Sequence, residues 1–239
     1  MLDADGFFLR EAMREVSEEL RETAVYNTIL TGLAEGRNTL QELYSHTGFS
    51  RAKISVYLKS LMELELVEKV FSFDTEGHAN TKKGYYRIKS HLVEFYYRFV
   101  YPHASDAELM SGEAFYEKYI EKDFRAFVDV HFKEICREYM EEENAAGKLP
   151  FALTKISEWI GKQGCVDIVG STEGENCLIG ACFFTPMVTY ELYEELLLAA
   201  KQAKIACSYI YLFGIDRFDG KLLLEARVKK NIRLVNLGE

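Results

Sequence analysis

The spacing of apolar residues changes its period near Pro150, and this change constrains the fold more than any other feature of the sequence. Before Pro150, apolar side chains recur mostly at intervals of three and four, as they do on the buried face of a helix. After it, three short runs have the composition of strands: ALTKISEW, CVDIVGS and NCLIGACFF. The pattern predicts a largely helical first part and a second part built around one sheet with helices packed against it.

Helix caps divide the first part into separate helices. The predicted helices run from Leu9 to Leu20, from Tyr26 to Ala34, from Thr39 to His46 and from Arg51 to Leu64. Thr39 and Glu42 have the spacing of a capping box, so that the third helix begins there. A turn at Gly48 and an N-cap at Ser50 then start the fourth helix, which stands where a recognition helix would.

Two short strand-type runs follow the helices. LVEKVFSF (66–73) and YYRIKS (85–90) flank the polar loop DTEGHANTKKG, which predicts a β-hairpin with a long tip. Helices followed by such a hairpin are typical of a winged helix-turn-helix. We therefore expect a winged helix-turn-helix domain with its N-terminal helix in residues 1–100, and a polar surface connection in residues 101–122. The aromatic-rich residues 91–102 are predicted to form a helix that Pro102 stops, and apolar spacing predicts a further helix from Tyr116 to Met140.

The charge is uneven along the chain. The whole chain has a net charge of −9, which argues against general affinity for nucleic acid. Ser50 to Lys89, however, contains eight basic and five acidic residues, a balance of +3, whereas the chain from Tyr101 onward contains 16 basic and 23 acidic residues, a balance of −7. Any surface for double-stranded DNA is expected in the first part, with contacts from Ser50, Arg51, Lys53, Lys59, Lys82 and Lys83. The alternative is a solvated helix face with Ser50 serving only as a cap, and a hairpin that is only structural.

The cysteines and the hydropathy indicate a cytoplasmic protein. The five cysteines contain no CxxC pair, so we expect reduced thiols and no zinc. No run of about 18 apolar residues is present, so no segment is expected to span a membrane. The N-terminus lacks the order of a secretory signal. No cofactor is expected.

Four segments resemble the C-terminal half of archaeal and bacterial DEXX-box ATPases. These are FYYRFVYP (95–102), EICREYM (134–140), VDIV (166–169) and LIGACFF (178–184). In that family an ATPase domain is followed by a winged helix and then by a domain with a PD-(D/E)xK, restriction-endonuclease-like fold. The resemblance implies that residues 123–239 form this mixed α/β domain.

This sequence departs from the ATPase half of that family. No GxxxxGK[ST] loop occurs anywhere in it, so the backbone cradle and the lysine that hold nucleotide phosphates are missing. We therefore expect no ATP hydrolysis by this chain.

The nuclease motif of the resembled family is also broken here. Such a site needs a carboxylate on one strand and, on the next strand, an acid and a lysine two residues apart on the same face. Asp167 matches the first position, but Ala181 and Phe183 stand where the second acid and the lysine belong, and Lys133 stands where the family has a glutamate on its first helix. One carboxylate offers too few oxygen ligands for Mg²⁺. The resemblance therefore implies a vestigial site that does not cut.

We conclude from the sequence that the chain is a non-catalytic DNA-binding or regulatory module. Two alternatives remain open. The first is a module that docks to an ATPase partner or to a second copy of itself, which the acidic second part and the apolar pair Ala181 and Phe183 suggest. The second is a metal-dependent nuclease with migrated ligands, in which Asp167 would act with Glu134 or Glu158.

Overall fold

The computed structural model of the chain describes residues 23–75, 84–161, 164–173 and 177–238. These residues divide into two compact units, one holding residues 23–71 and 84–124 and the other holding residues 72–75 and 125–238. The predicted helix from Leu9 to Leu20 and the loop lysines Lys82 and Lys83 lie outside the described residues. Within the described residues, no helix is both long enough and apolar enough to cross a membrane.

The first unit begins with three helices and a two-stranded antiparallel sheet. These elements are α1 (Thr23–Ala34), α2 (Leu40–Thr47), α3 (Arg51–Glu63), β1 (Val67–Val70) and β2 (Tyr85–Ile88). The predicted capping box is confirmed, because the Thr39 side chain accepts from the Glu42 backbone N–H and the Glu42 carboxylate accepts from the Thr39 backbone N–H. Ser50 caps α3 as predicted, by accepting from the Lys53 backbone N–H. The helical region of helix-turn-helix type is thus confirmed.

The helical segment after β2 differs from the prediction. Helix α4 (His91–Phe95) runs on through a π-helical stretch (Tyr96–Val100) and a 3-10 turn (Tyr101–His103) into α5 (Ala104–Leu109) and α6 (Gly112–Tyr119). Pro102 was expected to stop the helix, but it lies in the first positions of the 3-10 turn, where its missing N–H is not required. Residues 101–122, which were expected to form a polar surface connection, are therefore largely helical. Two of them, Ala107 and Phe115, are buried.

The second unit contains one mixed sheet of five strands. Helix α7 (Glu121–Ala145) belongs to this unit from Arg125 onward, and it is separate from α6, although the sequence predicted one helix from Tyr116 to Met140. The remaining elements are β3 (Lys155–Gly161), β4 (Gly164–Ser171), β5 (Cys177–Cys182), β6 (Met187–Val188), α8 (Tyr190–Ala203), β7 (Tyr209–Gly214), β8 (Arg217–Phe218), α9 (Gly220–Val228) and β9 (Ile232–Asn236). The sheet order is β3-β4-β5-β7-β9, antiparallel from β3 to β5 and parallel from β5 to β9. The predicted α/β architecture is confirmed at this level.

Helices cover both faces of the sheet. One face packs against α8 and α9 through Ile179, Ala181 and Leu212, and the opposite face packs against α7 through Leu178 and Cys182. Successive residues of β5 alternate between the two faces, as the pleat requires. Every residue of β5 is buried, so this strand lies at the centre of the second unit.

Strand β4 contains a bulge at the position of the predicted vestigial site. Ser157 pairs with Val169 and Trp159 pairs with Val166, so that β4 has one residue more than β3 between the two pairs. Val166 and Val169 both face α8, although they are three residues apart. A bulge leaves the extra residue unpaired and redirects its side chain. Asp167 lies in this bulge.

The outer edge of β3 is covered by residues that follow β1 in the chain. The sequence predicted a strand over residues 66–73, but the strand ends at Val70. The backbone N–H of Phe73 donates to the carbonyl oxygen of Glu158 at 2.7 Å, and the hydroxyl of Ser72 accepts from the backbone N–H of Ile160 at 3.1 Å. Ser72 and Phe73 therefore satisfy polar groups of β3 that its partner β4 does not reach.

The turn between α2 and α3 provides a test of the first unit. Gly48 has a φ of 69°, in the left-handed region, and open space surrounds its α-carbon. Gly48→Ala should lower the free energy of unfolding by about 1 kcal/mol, because a β-carbon disfavours this conformation. Gly48→Asn should lower it less, since asparagine tolerates the left-handed region better. Chemical unfolding followed by the circular dichroism of the helices measures both values. Equal values for the two variants would show that the backbone conformation does not determine stability here.

Candidate functional site

The first candidate surface is the N-terminal part of α3. Ser50, Arg51, Lys53 and Lys59 are all exposed, whereas Ile54, Leu58 and Leu61 on the opposite side of the helix are buried. The structure thus brings together the predicted contact residues of α3.

Aromatic rings hold the two cations at the start of this helix. The Arg51 guanidinium donates to the side-chain oxygen of Gln41 and lies 5.3 Å from the centroid of the Tyr44 ring. The Lys53 ammonium lies 4.5 Å from the centroid of the Phe49 ring. Contacts of this kind favour a cation over a ring face. The positive charge is therefore fixed near the helix N-terminus.

Lys59 differs from these two cations. Its ammonium lies 3.6 Å from the carboxylate of Glu63, one turn further along the same helix. Both side chains are largely exposed, so the pair contributes little to stability. The partner carboxylate does, however, offset the charge that Lys59 would offer to a phosphate.

The second candidate site is a cavity in the second unit. Asp167, Ala181 and Phe183, the three residues of the predicted vestigial site, line one cavity of about 280 Å³ together with side chains of α8. Ala181 is buried, and Phe183 is half-buried and packs against the core on the α8 face. Ala181 is therefore part of the interior, whereas Phe183 is only partly covered.

The Asp167 side chain is bound on both of its oxygens. Oδ1 lies 2.6 Å from the ammonium nitrogen of Lys133, and Oδ2 accepts a hydrogen bond of 3.0 Å from the backbone N–H of Cys182. The carboxylate is only 9% exposed. A carboxylate this far removed from water needs a partner of opposite charge, and Lys133 of α7 supplies it.

This ion pair changes the proton affinity of its neighbours. Burial lowers the pKa of Lys133, but the negative charge of Asp167 and the hydrogen bond to it, with smaller effects of nearby thiols, together outweigh burial, so that the pKa lies above its ordinary value and the ammonium stays charged. The Sγ atom of Cys165 lies 3.6 Å from Asp167 Oδ1. Burial, and then the charge of Asp167, raise the pKa of the Cys165 thiol. The site therefore holds a charged pair beside a neutral thiol.

Sequence reasoning placed Lys133 near the predicted vestigial site but did not predict its ion pair with Asp167. The sequence showed that a lysine stands where the resembled family has a glutamate on its first helix. Only the structure shows that the ammonium of Lys133 contacts the carboxylate of Asp167 directly. A reversal of charge at that position was the signal that could have indicated it.

Two segments of the chain match different family models, and the second segment extends over parts of both units. Residues 27–69, from within α1 to within β1, match the model described as bacterial regulatory proteins of the arsR family, which is consistent with a helix-turn-helix. Residues 96–194 match the model described as archaeal and bacterial proteins of unknown function. Neither description names an ATPase, and the resemblance to DEXX-box ATPases stays a prediction.

A relative from the curated proteins covers most of the chain. An uncharacterized protein of Methanocaldococcus jannaschii is 30% identical over 172 residues, which is 72% of this chain. The matched part is 38% of that protein, so the relative is considerably longer than the region it shares. No solved structure matches the chain.

The buried ion pair should be detectable as a coupling between its two residues. Lys133→Met leaves the carboxylate of Asp167 without a cation, and it should lower the free energy of unfolding by about 3 kcal/mol. Adding Asp167→Asn, which keeps an acceptor for the Cys182 N–H, should recover most of this loss. The free energy of unfolding is measured by chemical unfolding, followed by the fluorescence of Trp159. This residue is the single tryptophan of the chain and is buried in this unit.

The pH dependence of the same measurement has a definite sign. The pKa of Lys133 is raised in the folded protein, so the contribution of the pair is complete below the ordinary lysine pKa of about 10.4 and is lost as the pH rises through the folded value. Equal losses from Lys133→Met with and without Asp167→Asn would show that the two residues are not coupled.

Proposed function

We propose that the chain is a non-catalytic DNA-binding regulatory module. The observation that carries this proposal is the exposed start of α3, where Arg51 and Lys53 are held by aromatic rings in the segment that matches the arsR regulators. In helix-turn-helix proteins the N-terminal residues of the second helix reach the bases and phosphates of DNA. Arg51 and Lys53 would bind the phosphate backbone, and Ser50 would donate its backbone N–H to a phosphate at the helix N-terminus.

The antiparallel pair β1 and β2 supports the reading of this unit as a winged helix-turn-helix. The wing would be the connection between these strands, which contains Lys82 and Lys83. Two lysines on such a loop suit a contact with the DNA backbone or the minor groove. We propose that they add to the contacts of α3.

The distribution of charge supports a contact limited to the part of the first unit that precedes Tyr101. The chain from Tyr101 onward contains 23 acidic and 16 basic residues and would be repelled by phosphates. DNA would therefore approach the face that α3 presents.

We propose that the second unit is a restriction-endonuclease-like domain that has lost its chemistry. Its mixed sheet, with α7 on one face and Asp167, Ala181 and Phe183 around one cavity, supports this reading. A Mg²⁺ ion needs several oxygen ligands and does not lose its water readily. In this cavity, the remaining acid is already neutralised by Lys133, and alanine and phenylalanine take the other positions. The domain would serve as a scaffold.

We further propose that this chain is related to the C-terminal half of DEXX-box ATPases. The sequence has no GxxxxGK[ST] loop, so ATP hydrolysis would have to be supplied outside these 239 residues. The greater length of the Methanocaldococcus jannaschii relative is compatible with this arrangement.

DNA binding can be tested by fluorescence anisotropy with mixed-sequence duplexes at several salt concentrations. The double variant Arg51→Ala/Lys53→Ala should bind more weakly, and its plot of log affinity against log salt should be less steep by about 1.8, because each lost phosphate contact removes about 0.9. The matched control is Lys201→Ala/Arg227→Ala, which removes two exposed basic residues from helices of the second unit. Absence of wild-type binding at low salt, or an equal loss in the control, would contradict the proposal.

The absence of nuclease activity can be tested with supercoiled plasmid and Mg²⁺ or Mn²⁺. We expect no nicking by the wild-type protein, because Lys133 already occupies the carboxylate that would bind the ion. Cleavage that disappears in Asp167→Ala would overturn the proposal in favour of a nuclease with migrated ligands. Cleavage of equal rate in wild type and Asp167→Ala would come from a contaminant.

A further inference from the structure

One stripe of α3 points directly away from the core. Ala52, Val56 and Lys59 are spaced four and three residues apart, and all three are exposed. Residues at this spacing share one side of a helix. The buried residues Ile54 and Leu58 lie on the other side. The part of α3 that would meet DNA most directly is therefore apolar in its first two turns.

Val56 is an exposed apolar residue on the helix that would meet DNA. It is 64% exposed, in the middle of a helix of 13 residues. A β-branched side chain is a weak helix former, and an exposed one gains nothing from burial. Its presence therefore does not follow from the stability of the first unit. Cations lie on either side of it along the helix, at Lys53 and Lys59.

An apolar side chain can read only one feature of the major groove. The base edges there present hydrogen-bond donors and acceptors, except for the 5-methyl group of thymine, which is apolar. Valine has no group that could bond to the polar edges. On the basis of the proposed DNA-binding function, we infer that Val56, together with Ala52, contacts thymine 5-methyl groups and selects sites that carry thymine beneath the centre of α3.

The expected effect is the loss of a buried methyl contact. Removing one methyl group from the interface should weaken binding about three- to fourfold, and removing two should weaken it about tenfold. Loss of phosphate contacts would act equally on all sequences, so it cannot produce this difference.

Uracil provides a direct test, because it differs from thymine only by lacking the 5-methyl group. Duplexes selected by the wild-type protein from a random pool at moderate salt are prepared twice, once with thymine and once with uracil, and their affinities are compared. The test variant is Val56→Ser, since serine has a helix propensity close to that of valine. The matched control is Val228→Ser, at a valine of α9 that is 72% exposed.

The results distinguish a failure of the thymine contact from a failure of the proposed DNA binding. Weaker wild-type binding to the uracil duplexes, a loss of this preference in Val56→Ser and its retention in Val228→Ser would support the inference. Equal wild-type binding to both duplexes would overturn it while leaving DNA binding intact. A preference retained in Val56→Ser would overturn the role of Val56. If no duplex is selected at all, the proposed function fails, and the inference fails with it.

Discussion

An acid that is nearly removed from water needs an opposite charge, and this constraint governs the centre of the second unit. Asp167 lies in the bulge of β4, and the ammonium of Lys133 on α7 meets its carboxylate at 2.6 Å. The same contact joins the long helix to the sheet and occupies the oxygen that a metal ion would need. Asp167 therefore has a structural role, with the ammonium of Lys133 as its counter-ion.

Much of the fold could be predicted from local signals. The capping box at Thr39 and the N-cap at Ser50 depend on residues three positions apart, and both are present as predicted. The three strand-type runs after Pro150 became β3, β4 and β5, because their composition suits a sheet that is buried on both faces. The boundary between α9 and β9 could not be predicted, since no glycine or proline separates them in LLLEARVKKNIRLVNL.

The sequence could not show features that depend on distant partners. Lys133 and Asp167 are 34 positions apart, and no spacing rule joins a helix residue to a bulged strand residue. Pro102 was read as a helix end, although the first turn of a helix tolerates proline. The resemblance marked Ala181 and Phe183 as replacements of site residues, which stays a prediction, and how far each side chain is exposed depends on the position of α8.

The contacts of Ser72 and Phe73 with β3 have a consequence for how the protein behaves in a crowded solution. An edge strand with free N–H and carbonyl groups is a template on which a strand of another molecule can add. Here a short segment from an earlier part of the chain has already taken up such groups, at Glu158 and Ile160. Lateral growth of the sheet into a fibril is therefore obstructed on the β3 side.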